Sequence, residues 1–246
     1  MKEITKNNNI REKLSGNQAP LKNYIDLTVG DTGFLNFIKY EFLTCLFGFM
    51  PGGVGYYLRK IFYPLLLKKA GNGLIIGRNV VIRHPANIEL GNNVTIDDNC
   101  VIDGRGSGPE GIIFGDNVMI NRNCMILAKA GHIRFGMRTS IGCNSVVVSM
   151  DGVELGEAVL IAGGCYISAG SYRFDDINKF VMDQKAYSAG PIKIGSGAWL
   201  GTRVTVLDGV SIGKGAIIGA CALVNKNIPE NAVAYGIPAK VIRIQE

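Results

Sequence analysis

The chain has 246 residues, 47% of them hydrophobic and 19% charged, with 33 glycines, a composition that buries a real core and excludes a disordered chain. The formal net charge of +6 suits a phosphate-bearing partner or anionic lipid. No zinc-finger, RNP-type or helix-turn-helix signature is present, which argues against nucleic acid.

Residues 1–33 read as a polar, Asn/Lys-rich tail. The tail has no apolar stretch followed by a cleavage site, so no secretory signal is expected. The six cysteines contain no C-x-x-C pair, so neither a disulfide framework nor a zinc site is expected. A reducing cytoplasm is the natural setting.

Residues 34–70 form a second region, an arm expected to be helical. Residues 34–50 are apolar and aromatic, broken by Lys39 and Glu41. Pro51, Gly52 and Gly53 then end one short helix, and 55–70 supply another, closing on Lys68 and Lys69. Each is too short or too interrupted to span a bilayer. Two readings stay open. The arm caps the first turn of the domain that follows, or it lies in a membrane interface with Arg59, Lys60, Lys68 and Lys69 on anionic lipid. The second reading would place the protein peripherally on the inner membrane face.

Residues 71–246 form the main domain, and from Leu90 to Val224 its sequence repeats every six residues apart from insertions. Large apolar anchors fall at Leu90, Ile96 and Ile102; Phe114, Ile120 and Ile126; Phe135, Ile141 and Val147; Leu155, Ile161 and Ile167; Ile194, Leu200 and Val206; Ile212, Ile218 and Val224. Four residues past an anchor the side chain is smaller, as at Val94, Cys100, Cys124, Ser145, Cys165 and Ala216. One residue past it, Gly, Asn or Asp dominates, which suggests a left-handed backbone there. Each unit reads as a short strand plus a turn, and three units make one triangular coil of 18 residues. A parallel β-helix follows, with coils about 4.8 Å apart. A helix is a poor rival, because a period of six is no multiple of 3.6.

Coils start at 90, 114, 135, 155, 194 and 212; subtracting 18 from each step leaves insertions of 6, 3, 2, 21 and 0 residues. All follow the third anchor, so 103–111, 128–132, 149–152 and the long loop 168–191 gather at one edge, where function usually sits. An earlier partial coil over 76–88 brings His84 near that edge. Cys100, Cys124 and Cys165 are expected in one inward file as core, while Cys143 and Cys221 fall on outward turns. Residues 229–246 form a C-terminal tail.

The run 190–243 contains IGSGAWLG, GVSIG, AIIGA and GIPAKVIR, and HPANIELG opens the coils at His84–Gly91. In these motifs the chain resembles the hexapeptide-repeat acyltransferases, the left-handed β-helix class that includes galactoside, maltose and polysaccharide O-acetyltransferases. It looks most like the branch found in capsule and lipopolysaccharide gene clusters. The resemblance implies a homotrimer, a site between two subunits, and transfer of an acetyl group from acetyl-CoA to a saccharide hydroxyl. N-acylation of an amino sugar is a near neighbour. By the same resemblance Trp199, Gly201 and Thr202 lie near the thioester, Ala220 beside the pantetheine arm, and Lys240 and Arg243 near the CoA phosphates. Asn225 and Lys226 match a Thr-Lys pair, from which the Asn departs. Fixed cations at Lys226, Lys240 and Arg243 suit a phosphate-rich cofactor.

An alcohol needs a general base. Relatives supply a His from the long loop, with an Asp and then a Gln following. Here Tyr172 stands in the place of that His, with Asp175, Asp176 and Gln184 behind it. Asp176 and Gln184 are expected to bind substrate. Three readings remain: His132 from the same edge is the base, though two coils put it roughly 10 Å from the loop's root; Tyr172, Asp175 or Asp176 is; or the protein is a weak or inactive trimeric scaffold binding CoA or glycan. Zinc chemistry on a β-helix wants three His, and the chain has two, so no metal is expected.

Overall fold

The six-residue rhythm winds into three parallel sheets that form the sides of a left-handed prism. The structure, a computed structural model, describes residues 2–3, 19–30, 33–106 and 111–246. Most of the polar tail and residues 107–110 of the first insertion lie outside the described residues.

One face stacks Lys69–Ala70, Ile88–Leu90, Ile112–Phe114, His132–Phe135, Gly152–Leu155, Ile192–Ile194 and Ser211–Ile212. The second runs from Ile75–Ile76 through Ser140–Ile141 and Trp199–Leu200 to Ala232–Tyr235. The third runs from Val81–Arg83 through Val146–Ser149 to Leu223–Val224. Register follows the anchors: Ile126 pairs with Ile102 and Val147, and Phe135 with Phe114 and Leu155. All these anchors are buried. Phe114 and Phe135 stack at 4.8 Å and 6°, the inter-strand spacing reproduced in the core.

The cysteine file stands as expected. Cys100, Cys124 and Cys165 are all buried, and each thiol donates to a carbonyl of the next coil: Asn121 O at 3.1 Å, Gly142 O at 3.2 Å and Gly201 O at 3.2 Å. Ser145 continues the file, donating to Ala162 O at 3.3 Å.

The turns correct one expectation. The left-handed residues stand three past the anchor, not one: Asn93, Asn99, Asn117, Asn123, Asn144 and Arg203 all have positive φ. Asn fits because its short amide bonds locally and along the stack, as from Asn79 Nδ2 to Asn99 Oδ1 at 2.9 Å. The glycine one past the anchor has a different cause. A Cβ on Gly142 would stand 2.5 Å from the Ala162 carbonyl carbon, so successive coils could not close.

Ahead of the coils lie helix α1 (Pro20–Thr28) and, in the arm, helix α2 (Phe34–Phe47), helix α3 (Gly52–Phe62) and a 3-10 turn over Tyr63–Leu66. α2 buries Phe37, Tyr40 and Leu43, and Tyr63 and Leu66 join the same core as Leu74 and Ile76 of the first coil. Arg59 is not a lipid-facing cation. It is buried, and its guanidinium donates to Ile76 O at 2.9 Å, Phe47 O at 2.9 Å and Met50 O at 2.8 Å. These bonds satisfy carbonyls at the end of α2 and at the open edge of the sheet. Burial pushes the Arg59 pKa below its ordinary value.

α1 arises inside the stretch that reads as polar tail. His84 anchors it: the His84 amide donates to Thr28 O at 2.7 Å, and its Nε2 lies 2.9 Å from Asp26 O. Asp103, itself buried, stands 3.6 Å from His84 Nδ1 and 3.0 Å from Arg105. His84 therefore serves architecture, away from the long loop. At the far end Lys240–Ile244 folds back antiparallel on Ala232–Tyr235 and closes the second face.

Candidate active site

The long loop leaves the third face after Tyr166–Ala169 and returns to the first at Ile192. Its root is a hairpin in which Ser171 faces Tyr187 and Tyr172 faces Ala186, and Lys2–Glu3 adds a third strand to it. Asp208 clamps the return, accepting from Ser188 Oγ at 3.0 Å and from the Ala189 amide at 2.6 Å.

Gln184 ties the loop to itself. Its Nε2 donates to Asp176 O at 2.9 Å and Lys179 O at 3.2 Å, while its Oε1 accepts from the Asp176 amide at 3.3 Å. The Asp176 carboxylate takes Lys179 Nζ at 2.9 Å and the Asn178 amide at 3.0 Å. The Lys179 contact, with that amide, holds Asp176 below the usual carboxylate range and makes it a poor proton acceptor. Asp175 is largely exposed, 3.7 Å from Arg173, and the Tyr172 ring is half exposed.

His132 sits at the same edge, at the start of its strand on the first face. Its Nε2 lies 3.2 Å from Glu154 Oε1, and Lys193 Nζ stands 3.8 Å from Glu154 Oε2. Gly152, its strand partner, has no side chain. The point where a Cβ would stand is 3.0 Å from His132 Cε1 and 3.2 Å from Pro191 Cβ. The imidazole thus lies over Gly152 toward the last residue of the long loop, nearer than rung counting suggests. Glu154 was missed from sequence, yet its signal was there: one 20-residue coil step from Arg134 reaches it on the outward side of the same face.

The remaining expected residues are spread around the prism. Trp199 is exposed on the second face, in register with Leu160 and Ile217. Gly201 and Thr202 follow at the corner between the second and third faces, with exposed Ala220 beneath them. A Cβ on Gly201 would meet the Ala220 amide nitrogen at 2.7 Å. Asn225 and Lys226 are exposed beyond Leu223–Val224, at the loop edge. Lys240 and Arg243 lie exposed on the outermost strand of the second face, opposite Tyr235 and Val233. One chain therefore divides the set: His132, the loop, Asn225 and Lys226 at one edge; Trp199, Gly201, Thr202 and Ala220 on another side of the prism. Among the described residues no group of three or more His, Cys, Asp or Glu is placed to hold a metal.

Residues 191–226 match the bacterial transferase hexapeptide model (six repeats), and 133–169 match the hexapeptide repeat of succinyl-transferase. A Mycobacterium tuberculosis protein named probable acetyltransferase Rv3034c is 38% identical over 118 residues, 48% of this chain and 39% of that protein. Escherichia coli WbbJ, whose name assigns it to lipopolysaccharide biosynthesis as an O-acetyl transferase, is 36% identical over 103 residues, 39% of this chain and 53% of that protein. The chain thus spans less than two thirds of the length of these curated relatives. The fold is shared with a mutant form of AntD, an N-acyltransferase from Bacillus cereus in complex with dTDP and coenzyme A. There the TM-score is 0.52 at 19% identity, covering 81% of this chain and 91% of that one. With its repeats and three-sheet coil, the chain is a hexapeptide-repeat β-helix whose matched segments are similar to bacterial transferases and to proteins named acetyltransferases.

Proposed function

We propose that the protein transfers an acetyl group from acetyl-CoA to a saccharide hydroxyl, with His132 as general base. The observation that carries this reading is the His132–Glu154 pair beside the root of the long loop. Glu154 accepts from Nε2–H, which leaves Nδ1 carrying the lone pair and stabilises the imidazolium once formed. The acceptor hydroxyl gives its proton to His132 as its oxygen attacks the thioester carbonyl. The C–S bond then breaks, the acetyl ester remains on the sugar, and the CoA sulfur leaves as a thiol, recovering the proton from His132. Trp199, Gly201 and Thr202 would lie beside the thioester and Ala220 beside the pantetheine. Lys226, Lys240 and Arg243 would meet the phosphates, and the hairpin braced by Gln184 and Asp176 would frame the sugar. Two copies related in a trimer would bring one chain's loop edge to the other's Trp199 side, since a single chain keeps them apart.

A second reading, a scaffold that binds CoA or glycan without turnover, is favoured by Tyr172 standing where relatives carry the loop His. Thiol release from acetyl-CoA over a panel of sugars separates the two. The expected result is turnover that falls by about 10²–10⁴ in His132→Asn with acetyl-CoA affinity unchanged, and little change in Tyr172→Phe. Acetyl-CoA binding with no thiol release on any sugar supports the scaffold. An active His132→Asn protein removes His132 from the chemistry.

A further inference from the structure

Helix α2 is apolar on both sides. Its buried side carries Phe37, Tyr40 and Leu43. Its outer side carries Phe34, Leu35, Ile38, Phe42, Cys45 and Leu46, all exposed, within a single arc of about 120° at 3.6 residues per turn. Phe34 and Phe42 are each 61% exposed and Leu35 84%, and Phe49 follows at 70%. No charged side chain interrupts the arc. A solvent-facing helix surface is ordinarily polar, so a bare apolar stripe of this size marks a contact surface.

The stripe continues onto the next element. Val54, Tyr57 and Ile61 repeat at helical spacing on the outside of α3, with exposed Leu65 after them. Phe47 and Phe62 stack at 4.8 Å to bind the two helices together, and Lys39 Nζ donates to Leu65 O at 2.8 Å, tying α2 to the turn that follows α3.

Charge selects the occupant. The described residues of 19–70 carry Lys22, Lys39, Arg59, Lys60, Lys68 and Lys69 against Asp26 and Glu41. Arg59 is buried, Lys68 pairs with Glu89 at 2.8 Å, and Glu41 accepts from Tyr24 Oη at 3.1 Å. Lys22, Lys60 and Lys69 remain exposed. These described residues thus carry six cations against two anions, a net positive charge that a second copy of the same region would repel and an anionic bilayer complements. No helix among the described residues is long and apolar enough to cross a membrane, so the stripe lies in the interface plane.

We infer that the outer faces of α2 and α3 form a membrane-docking surface that seats Phe34, Leu35, Phe42 and Phe49 in an anionic lipid interface. This inference does not depend on the acetyl-transfer reading. The full chain is sedimented with vesicles of phosphatidylcholine alone and of phosphatidylcholine mixed with phosphatidylglycerol, and its mass in solution is measured alongside. Wild type is expected to pellet with the anionic vesicles at least about tenfold more strongly than with the neutral ones. A Leu35→Glu/Phe42→Glu double variant is expected to lose that binding with its mass and melting temperature retained, and Lys60→Glu to weaken it. Absence of wild-type binding, equal binding to both vesicles, or a change of oligomeric state in the double variant overturns the assignment. The last outcome would make the face a contact between copies.

Discussion

Arg59 shows how far a residue's role depends on what lies over it. In sequence it is one of an adjacent basic pair, Arg59 and Lys60, at the end of an amphipathic helix. In the fold Lys60 stays in solvent while Arg59 turns inward and donates to three carbonyls. Its planar fork reaches several acceptors at once, which a lysine cannot reproduce. Arg59→Met keeps most of the apolar stem and leaves those carbonyls without donors. It is expected to cost about 2–4 kcal/mol, read as a lower urea midpoint with an unchanged slope. Lys60→Met should change the midpoint little. His84 teaches the same lesson: a histidine near the loop edge in sequence is the peg for α1, a helix whose own residues look polar. Neither role has a local signature, because both are set by partners distant in the chain.

At the scale of elements, the coil was legible and the arm only in part. Strand positions, the inward cysteine file and the gathering of insertions at one edge all follow from a six-residue period, since stacking forces every coil to the same register. The misplaced left-handed residue shows the limit of composition. Gly and Asn share a turn for different reasons: Gly142 avoids the coil above, while Asn144 adopts positive φ. The arm depends on contacts that no period encodes, and Tyr40 tests its docking. Burial, aided by Tyr24 and Glu41, pushes the Tyr40 phenol up to about 12 from 10.0. The unfolded chain then ionises first, so this stabilisation is whole below pH 10 and is lost as pH rises from 10 toward 12. About 2–3 kcal/mol is at stake. Thermal melts across that range should fall steeply in wild type and less steeply in Tyr40→Phe. Equal slopes would mean that Tyr40 is not held neutral by its packing.

For the whole molecule, the outward columns of the three faces differ. The first presents Lys69, Glu89, Arg134, Glu154 and Lys193, a surface suited to water. The second presents Ile75, Met119, Leu160 and Trp199, and the third Met125 and Tyr166, all well exposed. Apolar columns on two adjacent faces of a rigid prism call for covering, and copies of the chain are the simplest cover. Such an assembly would also reunite what one chain separates, the loop edge with His132 and the side that carries Trp199 and Thr202. The sequence nominates the candidate residues one at a time, and their division between two sides comes only from the fold, because a linear motif gives no direction around the prism. Leu160→Arg places a charge in the middle of the second column, one rung from Trp199 and outside the core. Sedimentation velocity should find three times the protomer mass for wild type and a single protomer for the variant, each with the same far-ultraviolet spectrum. Acetyl-CoA binding by calorimetry should disappear together with the assembly, since the cofactor's two walls would no longer meet. A variant that stays trimeric would put the contact on another face, and a monomer that still binds acetyl-CoA at full affinity would mean that one chain holds the whole cofactor site.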